Sequence, residues 1–504
     1  MRRPRSTLSR RVAPVAVAAV AALAVGMGTA AAGPLADIPG VPGLPGASSG
    51  TGDAEACDMT RTEEYPTSSP AAVGLDAAKL QAAIDYWNST GSENLKVFRH
   101  SCLVGEGALD AVTDRTPRIN WSNTKTVSAL IAGVAERQGL IDVDATLDDY
   151  LPEGLGDEAH RAITVRSVLT MSTGTQMNWA RGLNQFGDIS RPREAMSAEI
   201  EHEPEAYFEY DQTTPSVLNY IVQQAIWAQE PGLDYQDWAQ REFFDRLGIP
   251  RSAYFWQRDR AGNTLGYSQL FLRPLEFGRL GELMLNQGSY QDVQLIDEDY
   301  LAEMGTGSAA NCGYGFLVWV NGCTDGDLQV TGSIFTRRQI DPQQAWIASA
   351  PDDMYYSWGL HGQHVFVIPS LDMIVTRTGE TPPDTVPGLP RLDGDAVIAG
   401  EQKLGYFEFF ELLMAAVTDM PDDVRAQLES EPGNIAEPDL NVDPDTFVHP
   451  VDTVPGSYAG VGEHAPEGCT IMGCEGEPNN GIRWPLDAPR TAPGIVGAEE
   501  RPNG

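Results

Sequence analysis

The chain has 504 residues, with 34 basic against 71 acidic side chains, a formal charge of -37, 42% hydrophobic and 8% aromatic residues. Such a chain is long enough for one large core or two modest ones. The negative charge, without any basic cluster, excludes the phosphate neutralisation that nucleic-acid binding needs. Glycine (51) and proline (35) follow no period, which excludes collagen and solenoid architectures.

The N-terminus carries Arg2, Arg3, Arg5, Arg10 and Arg11, then an Ala/Val run from Val12 to Val25, then Ala30 and Ala32. The run is about 14 residues, short of the ~20 a membrane span needs, and it reads as a signal peptide over 1–32. The expected location is therefore outside the cell or in its envelope, with no stable membrane span after cleavage. Six cysteines, Cys57, Cys102, Cys312, Cys323, Cys469 and Cys474, suit an exported chain with disulfides. The shortest loops would join 57 to 102, 312 to 323 and 469 to 474, and other pairings stay open. No CxxC pair or neighbouring histidine suggests zinc, so no metal or cofactor is expected.

Residues 33–56 are Gly, Pro, Ala, Ser and Asp with little to bury, which predicts a flexible linker. Asp76 then caps a helix carrying Leu80, Ile84 and Trp87 on one face and stopped by Gly91. A strand is expected from Leu95 to Leu103. A second helix starts at Ser122, with Val127, Leu130, Ile131 and Val134 on one face and Gly139 past its end. Between about 160 and 290 the pattern is mostly helical: Val217–Ala228, Tyr235–Leu247 and Pro274–Asn286. Strands return at Tyr314–Val320, Tyr355–Trp358, Val365–Ile368 and Met373–Arg377, the last two as a hairpin. A helix at Tyr406–Val417 precedes an acidic Pro/Gly-rich tail over 436–504. This order predicts an α/β (α+β) fold, a sheet between N- and C-terminal helices with a helical subdomain inserted into a 57–435 domain.

The chain holds only four lysines, Lys79, Lys96, Lys125 and Lys403. Lys125 follows Ser122 by three residues at the start of a helix, so the two side chains share one face about a turn apart. A serine hydroxyl needs a base to become a nucleophile, and lysine serves only when neutral. Bringing its pKa from about 10.4 to near 7 takes about 4.6 kcal/mol, which burial can supply. The same residues also allow Ser122 to be a plain N-cap and Lys125 a solvated first-turn residue.

Trp121-Ser122-Asn123-Thr124-Lys125, followed by Gly139-Leu140-Ile141 and Leu147-Asp148-Asp149-Tyr150-Leu151-Pro152, resembles the nucleophile helix of the serine β-lactamase and penicillin-binding-protein superfamily. The stretch Ile163 to Gly174 matches another segment common there. The likeness lies on the side of class C-type β-lactamases, D-alanyl-D-alanine carboxypeptidases, esterases and nylon-oligomer hydrolases. That resemblance implies a β-lactamase-like antiparallel sheet with flanking helices. It also implies catalytic Ser122 and Lys125, with Tyr210 and Gln212 at the places of the Tyr-x-Asn motif. Gln for Asn is a departure. Trp358-Gly359-Leu360-His361-Gly362-Gln363 resembles the third motif, with Gly362 at the glycine, Leu360 or His361 near the lysine place, and His361 among the substrate contacts. The amides of Ser122 and Gln363 would then form the oxyanion hole.

The implied function is a secreted serine hydrolase that cleaves a small or peptide-like ester or amide through an acyl-serine. The alternative is a receptor for cell-wall peptides that keeps the fold without turnover. Gly46-Ala47-Ser48-Ser49-Gly50 matches the α/β-hydrolase nucleophile elbow, but it lies in the linker and lacks the strand-turn-helix context.

Overall fold

In the computed structural model the described residues are 56–62, 64–176, 190–323, 347–360, 362–379 and 405–430, with the backbone of 328–329, 339–340, 469–470 and 473–474. The expected signal peptide, almost all of the linker, His361 and most of the tail lie outside them.

Helix α1 (Ala77–Asn88) begins as the sequence dictates, with Asp76 accepting from the amides of Ala78 and Lys79 at 2.9 and 3.0 Å. The chain then forms β1 (Ser92–Arg99) and β2 (Cys102–Glu106), so the single strand expected over Leu95–Leu103 is a hairpin. Its turn, His100-Ser101, takes positive φ at both residues (51° and 59°), the mirror-image turn normally marked by Asn-Gly. Neither residue advertises it. Helix α2 (Asn123–Arg137) follows, then α3 (Thr214–Gln229) and α4 (Phe277–Leu285). Strands β3 (Trp319–Val320), β4 (Tyr355–Gly359), β5 (Gln363–Ile368) and β6 (Met373–Gly379) precede α5 (Tyr406–Ala416). A further polar helix, Asp422–Ser430, was not predicted. Of the strand expected over Tyr314–Val320, only β3 forms, because Leu317 turns the chain at φ 55°.

The main sheet runs β2-β1-β6-β5-β4-β3, every neighbour antiparallel. Alternation along β5 sorts its two faces. Phe366 lies 5.9 Å from Trp87 of α1 and 5.0 Å from Phe410 of α5, whereas Val365 and Ile374 meet α4 where Gly281 lets it approach. Trp87 is fully buried and stacks on Phe409 at 3.7 Å, fastening the two terminal helices together. Burial of each such ring contributes about 1.5–3 kcal/mol. The terminal helices thus cover one face, and α4 with the start of α2 covers the other. Helix α2 is buried along almost its whole length because α3 of the helical region packs on its far side.

Disulfides join Cys57 to Cys102 and Cys312 to Cys323. Cys469 and Cys474 pair in backbone register, and their side chains lie outside the described residues. Among the described residues no helix is long and apolar enough to cross a membrane.

Candidate active site

The site begins where a short strand, Arg118–Ile119, feeds into α2. Trp121 takes a left-handed conformation (φ 47°), which costs a residue of its size energy and swings Ser122 to the head of the helix. Ser122 already has helical dihedrals and its hydroxyl caps no amide, so it is not a plain N-cap. It is half-buried, whereas Lys125 is only 1% exposed.

Lys125 Nζ lies 3.0 Å from Ser122 Oγ, 2.8 Å from Gln212 Oε1 and 3.1 Å from the carbonyl oxygen of Tyr267. Its nitrogen also stands 4.7 Å from the ring centroid of Tyr210. Burial drives its pKa down to about 7, against the weaker opposing pull of the Asp211 carboxylate. The partner set matters as much as the burial. Two of the three neighbours are carbonyl oxygens, which only accept. A neutral amine gives its two hydrogens to Gln212 Oε1 and Tyr267 O, and its lone pair is left facing the Ser122 hydroxyl.

Tyr210 is half-buried, stacked on Trp319 at 5.7 Å and edge-on to Tyr314 at 6.1 Å. Its hydroxyl shares a hydrogen bond with Ser122, and burial raises its pKa well above the usual phenol value. The segment carrying Tyr210 and Gln212 is fixed by Asp211. Its carboxylate accepts from the amides of Gln212 (2.6 Å), Thr213 (3.0 Å) and Thr214 (2.7 Å) and from the Thr213 hydroxyl, which binds the loop to the head of α3. Gln in place of Asn therefore still reaches the lysine.

The third segment needs correction. The glycine that β4 brings against α2 is Gly359, not Gly362. A side chain at Gly359 would run into Asn120 O and lie 3.2 Å from Asn123 N. Only a residue without Cβ lets the strand end pass the turn before Ser122 this closely. Gly362 instead holds the left-handed position (φ 81°) of the loop Leu360–Gly362, its amide donating to Gly359 O at 3.1 Å. Gln363 opens β5 opposite Gly359, one strand further into the sheet, and its side-chain amide donates to Gly379 O at 3.3 Å. The amide that follows the close-approach glycine belongs to Leu360. His361 lies outside the described residues.

Sequence reasoning brought Ser122, Lys125, Tyr210 and Gln212 together as the structure does. It missed Asp211, although an Asp just before Thr-Thr-Pro is a helix-start signal. It also missed the Tyr267 carbonyl, which no side-chain pattern marks, and Trp319. Among the described residues no group of three His, Cys, Asp or Glu side chains could hold a metal ion.

Residues 97–384 match the family model described as Beta-lactamase. The chain belongs to the beta-lactamase family. That is a family of hydrolases of ester and amide bonds, and the match covers helix α2 with Ser122 and Lys125, the Tyr210 segment and the β4–β5 hairpin. No curated protein matches the chain. Among solved structures it is similar to EstCE1, described as a hydrolase with promiscuous acyltransferase activity (15% identity, TM-score 0.47, 66% of this chain and 99% of that one). It is also similar to SurE (15%, 0.45, 72% and 79%) and to a beta-lactamase of Mycobacterium bovis (13%, 0.42, 67% and 99%).

Proposed function

We propose that this member of the beta-lactamase family is an exported serine hydrolase that cleaves an ester or amide through an acyl-Ser122 intermediate. The observation that carries this reading is the setting of the Lys125 amine. Burial brings its pKa down to about 7, and its nitrogen lies 3.0 Å from the Ser122 oxygen, 2.8 Å from Gln212 Oε1 and 3.1 Å from the Tyr267 carbonyl oxygen. In the neutral form both hydrogens go to the carbonyls and the lone pair faces the hydroxyl. A base whose pKa matches the working pH is the efficient one.

Lys125 takes the hydroxyl proton as Ser122 Oγ attacks the carbonyl carbon. The negative charge that develops on the carbonyl oxygen is met by the amides of Ser122, at the positive end of α2, and of Leu360. The tetrahedral adduct collapses to the acyl-serine, and the leaving group departs with a proton passed through Tyr210. The phenol suits this donor role because burial keeps it protonated. Water then attacks the acyl carbon, giving its proton to Lys125, which returns it to Ser122 Oγ as the acid is released. With Gly359 at the glycine of the third motif, the lysine place falls to Ser357, which brings no cation, so an uncharged ester or amide is the preferred substrate over a carboxylate-bearing lactam.

The receptor alternative rests on the Gln212 and Leu360 departures from the family motifs; of these, Gln212 still places Oε1 2.8 Å from Lys125 Nζ. Labelling with a fluorophosphonate followed by peptide mapping tests the proposal. Modification at Ser122 that disappears in Ser122→Ala is expected, and labelling that persists in that variant refutes it. Export is tested separately by N-terminal sequencing of protein from the culture medium, with a new start near Gly33 expected.

A further inference from the structure

The hairpin that presents the Leu360 amide is held at both ends by buried side chains that the proposed chemistry does not use. On entry, the Ser357 carbonyl accepts from His364 Nδ1 at 2.9 Å, and the Val365 amide donates to Ser357 Oγ at 2.9 Å. On exit, the Gly362 carbonyl accepts from Arg377 at 3.0 Å. Arg377 also donates to Ser92 Oγ at 2.8 Å and to Thr90 O at 3.3 Å, and it lies 5.4 Å from the Trp87 ring centroid. His364 and Arg377 are register partners on β5 and β6, and both are essentially without solvent exposure.

The imidazole has one possible state in this setting. Burial and the adjacent Arg377 cation push its pKa down to about 3, so it is neutral. Nδ1 donates to Ser357 O, which leaves Nε2 as an acceptor for the Tyr406 hydroxyl of α5 at 2.7 Å. A chain of hydrogen bonds therefore runs from the C-terminal helix, through one tautomer of His364, to the peptide two residues ahead of Gly359. Gly359 itself passes the nucleophile turn at van der Waals limits. An oxyanion donor is effective only when its direction is fixed before the charge develops.

We propose that His364, oriented by Tyr406 and backed by Arg377 at the other end of the loop, is a positioning residue for the second oxyanion donor. The inference rests on the acyl-serine reading above. It assigns work to a histidine that touches no substrate.

The test uses the full chain, nitrophenyl acetate and butyrate as substrates, and a phenylboronic acid, whose tetrahedral adduct on Ser122 carries an oxyanion. His364→Phe is expected to lower kcat about 100-fold with KM changed less than threefold, and to weaken boronate binding in proportion to kcat. His364→Asn, whose Nδ2 overlays Nδ1 and can still donate to Ser357 O, is expected to recover kcat to within about tenfold of wild type. Tyr406→Phe deletes one oxygen, spares the fold, and is expected to lower kcat about 5- to 10-fold with boronate affinity following. A folded His364→Phe with kcat and boronate affinity unchanged, or altered only in KM, overturns the proposal. If His364→Phe does not fold, unchanged kcat in Tyr406→Phe overturns it instead. Wild type that is not labelled at Ser122 by a fluorophosphonate sinks the acyl-serine reading and this inference with it, whereas labelled wild type with indifferent variants sinks this inference alone.

Discussion

Two lysines of this domain are equally buried, each 1% exposed, and they have opposite chemistry. Lys96 of β1 meets three carboxylates, Asp110 at 2.9 Å, Asp114 at 2.9 Å and Glu106 at 3.0 Å, which overcome desolvation and hold its pKa above the ordinary lysine value. Lys125 meets two carbonyls and a hydroxyl, and desolvation wins. Burial alone therefore does not make a base. Neutral acceptors satisfy the amine's hydrogens without favouring its charge as carboxylates do, and that choice of partners separates the Lys96 cation from the base proposed at Lys125.

The comparison is broken most directly by removing each lysine in turn. Lys125→Met should cut kcat/KM about 10³- to 10⁴-fold, the range expected on losing a positioned base, while Lys96→Met should leave turnover per folded molecule unchanged. Equal losses in the two variants would end the distinction. Stability should reverse the order. Lys96→Met strands the buried Asp110 carboxylate and should cost about 3–5 kcal/mol in denaturant unfolding. At pH 7 the folded pKa of Lys125 lies below its unfolded value, so holding the amine neutral costs up to about 5 kcal/mol. Lys125→Met removes that cost but orphans two carbonyls at about 1–3 kcal/mol each. Its thermal midpoint should stay within a few degrees of wild type.

The same signs set the pH windows. Lys125 is depressed, so the folded state binds fewer protons between about pH 7 and the unfolded lysine value near 10.4, and its contribution to stability rises with pH across that window. Lys96 is raised, so its stabilisation is complete below about pH 10.4 and is lost as pH climbs through the higher folded value. Activity should follow Lys125 alone, with kcat/KM rising on an acid limb near pH 7.

How much of this was legible depended on how local each part is. Ser122 and Lys125 are three residues apart on one helix, and periodicity places them together without any knowledge of the fold. The α1 cap at Asp76 and the β5–β6 hairpin are local in the same sense. Tyr210 and Gln212 come from a segment nearly ninety residues on, and only resemblance linked them to the helix. The third segment offered two glycines within Trp358–Gln363, and choosing between them required knowing where β4 ends. That boundary is set by its packing on α2, so Gly359 was passed over for Gly362. The Tyr267 carbonyl was invisible because backbone oxygens carry no residue signature. The His100-Ser101 turn was missed because the pairing of its flanking strands, not a turn-forming pair such as Asn-Gly, holds its left-handed residues.

Converting one lysine environment into the other sharpens the argument. Gln212→Glu sets a carboxylate where Oε1 now lies 2.8 Å from Nζ, giving Lys125 the kind of partner that Lys96 has. A facing opposite charge raises an amine's pKa by about 1–3 units. The acid limb should move above pH 8, with activity at pH 7 reduced about fivefold or more and recovered near pH 10. A limb that stays at 7 would show that Lys125 is not the titrating base.

The smallest effect is expected at Asp211, whose charge pulls the Lys125 pKa upward without touching the amine. Asp211→Asn removes that pull and keeps a short polar side chain at the head of α3. The acid limb should then shift downward by about half a unit, opposite in sign to Gln212→Glu. Asn offers one acceptor oxygen where the carboxylate receives from three amides, so the variant should also lose about 1 kcal/mol of stability. The two readouts separate two roles of one residue. A stability loss with an unmoved limb would make Asp211 a cap only, and the low pKa of Lys125 would then be set entirely by burial and its carbonyl partners.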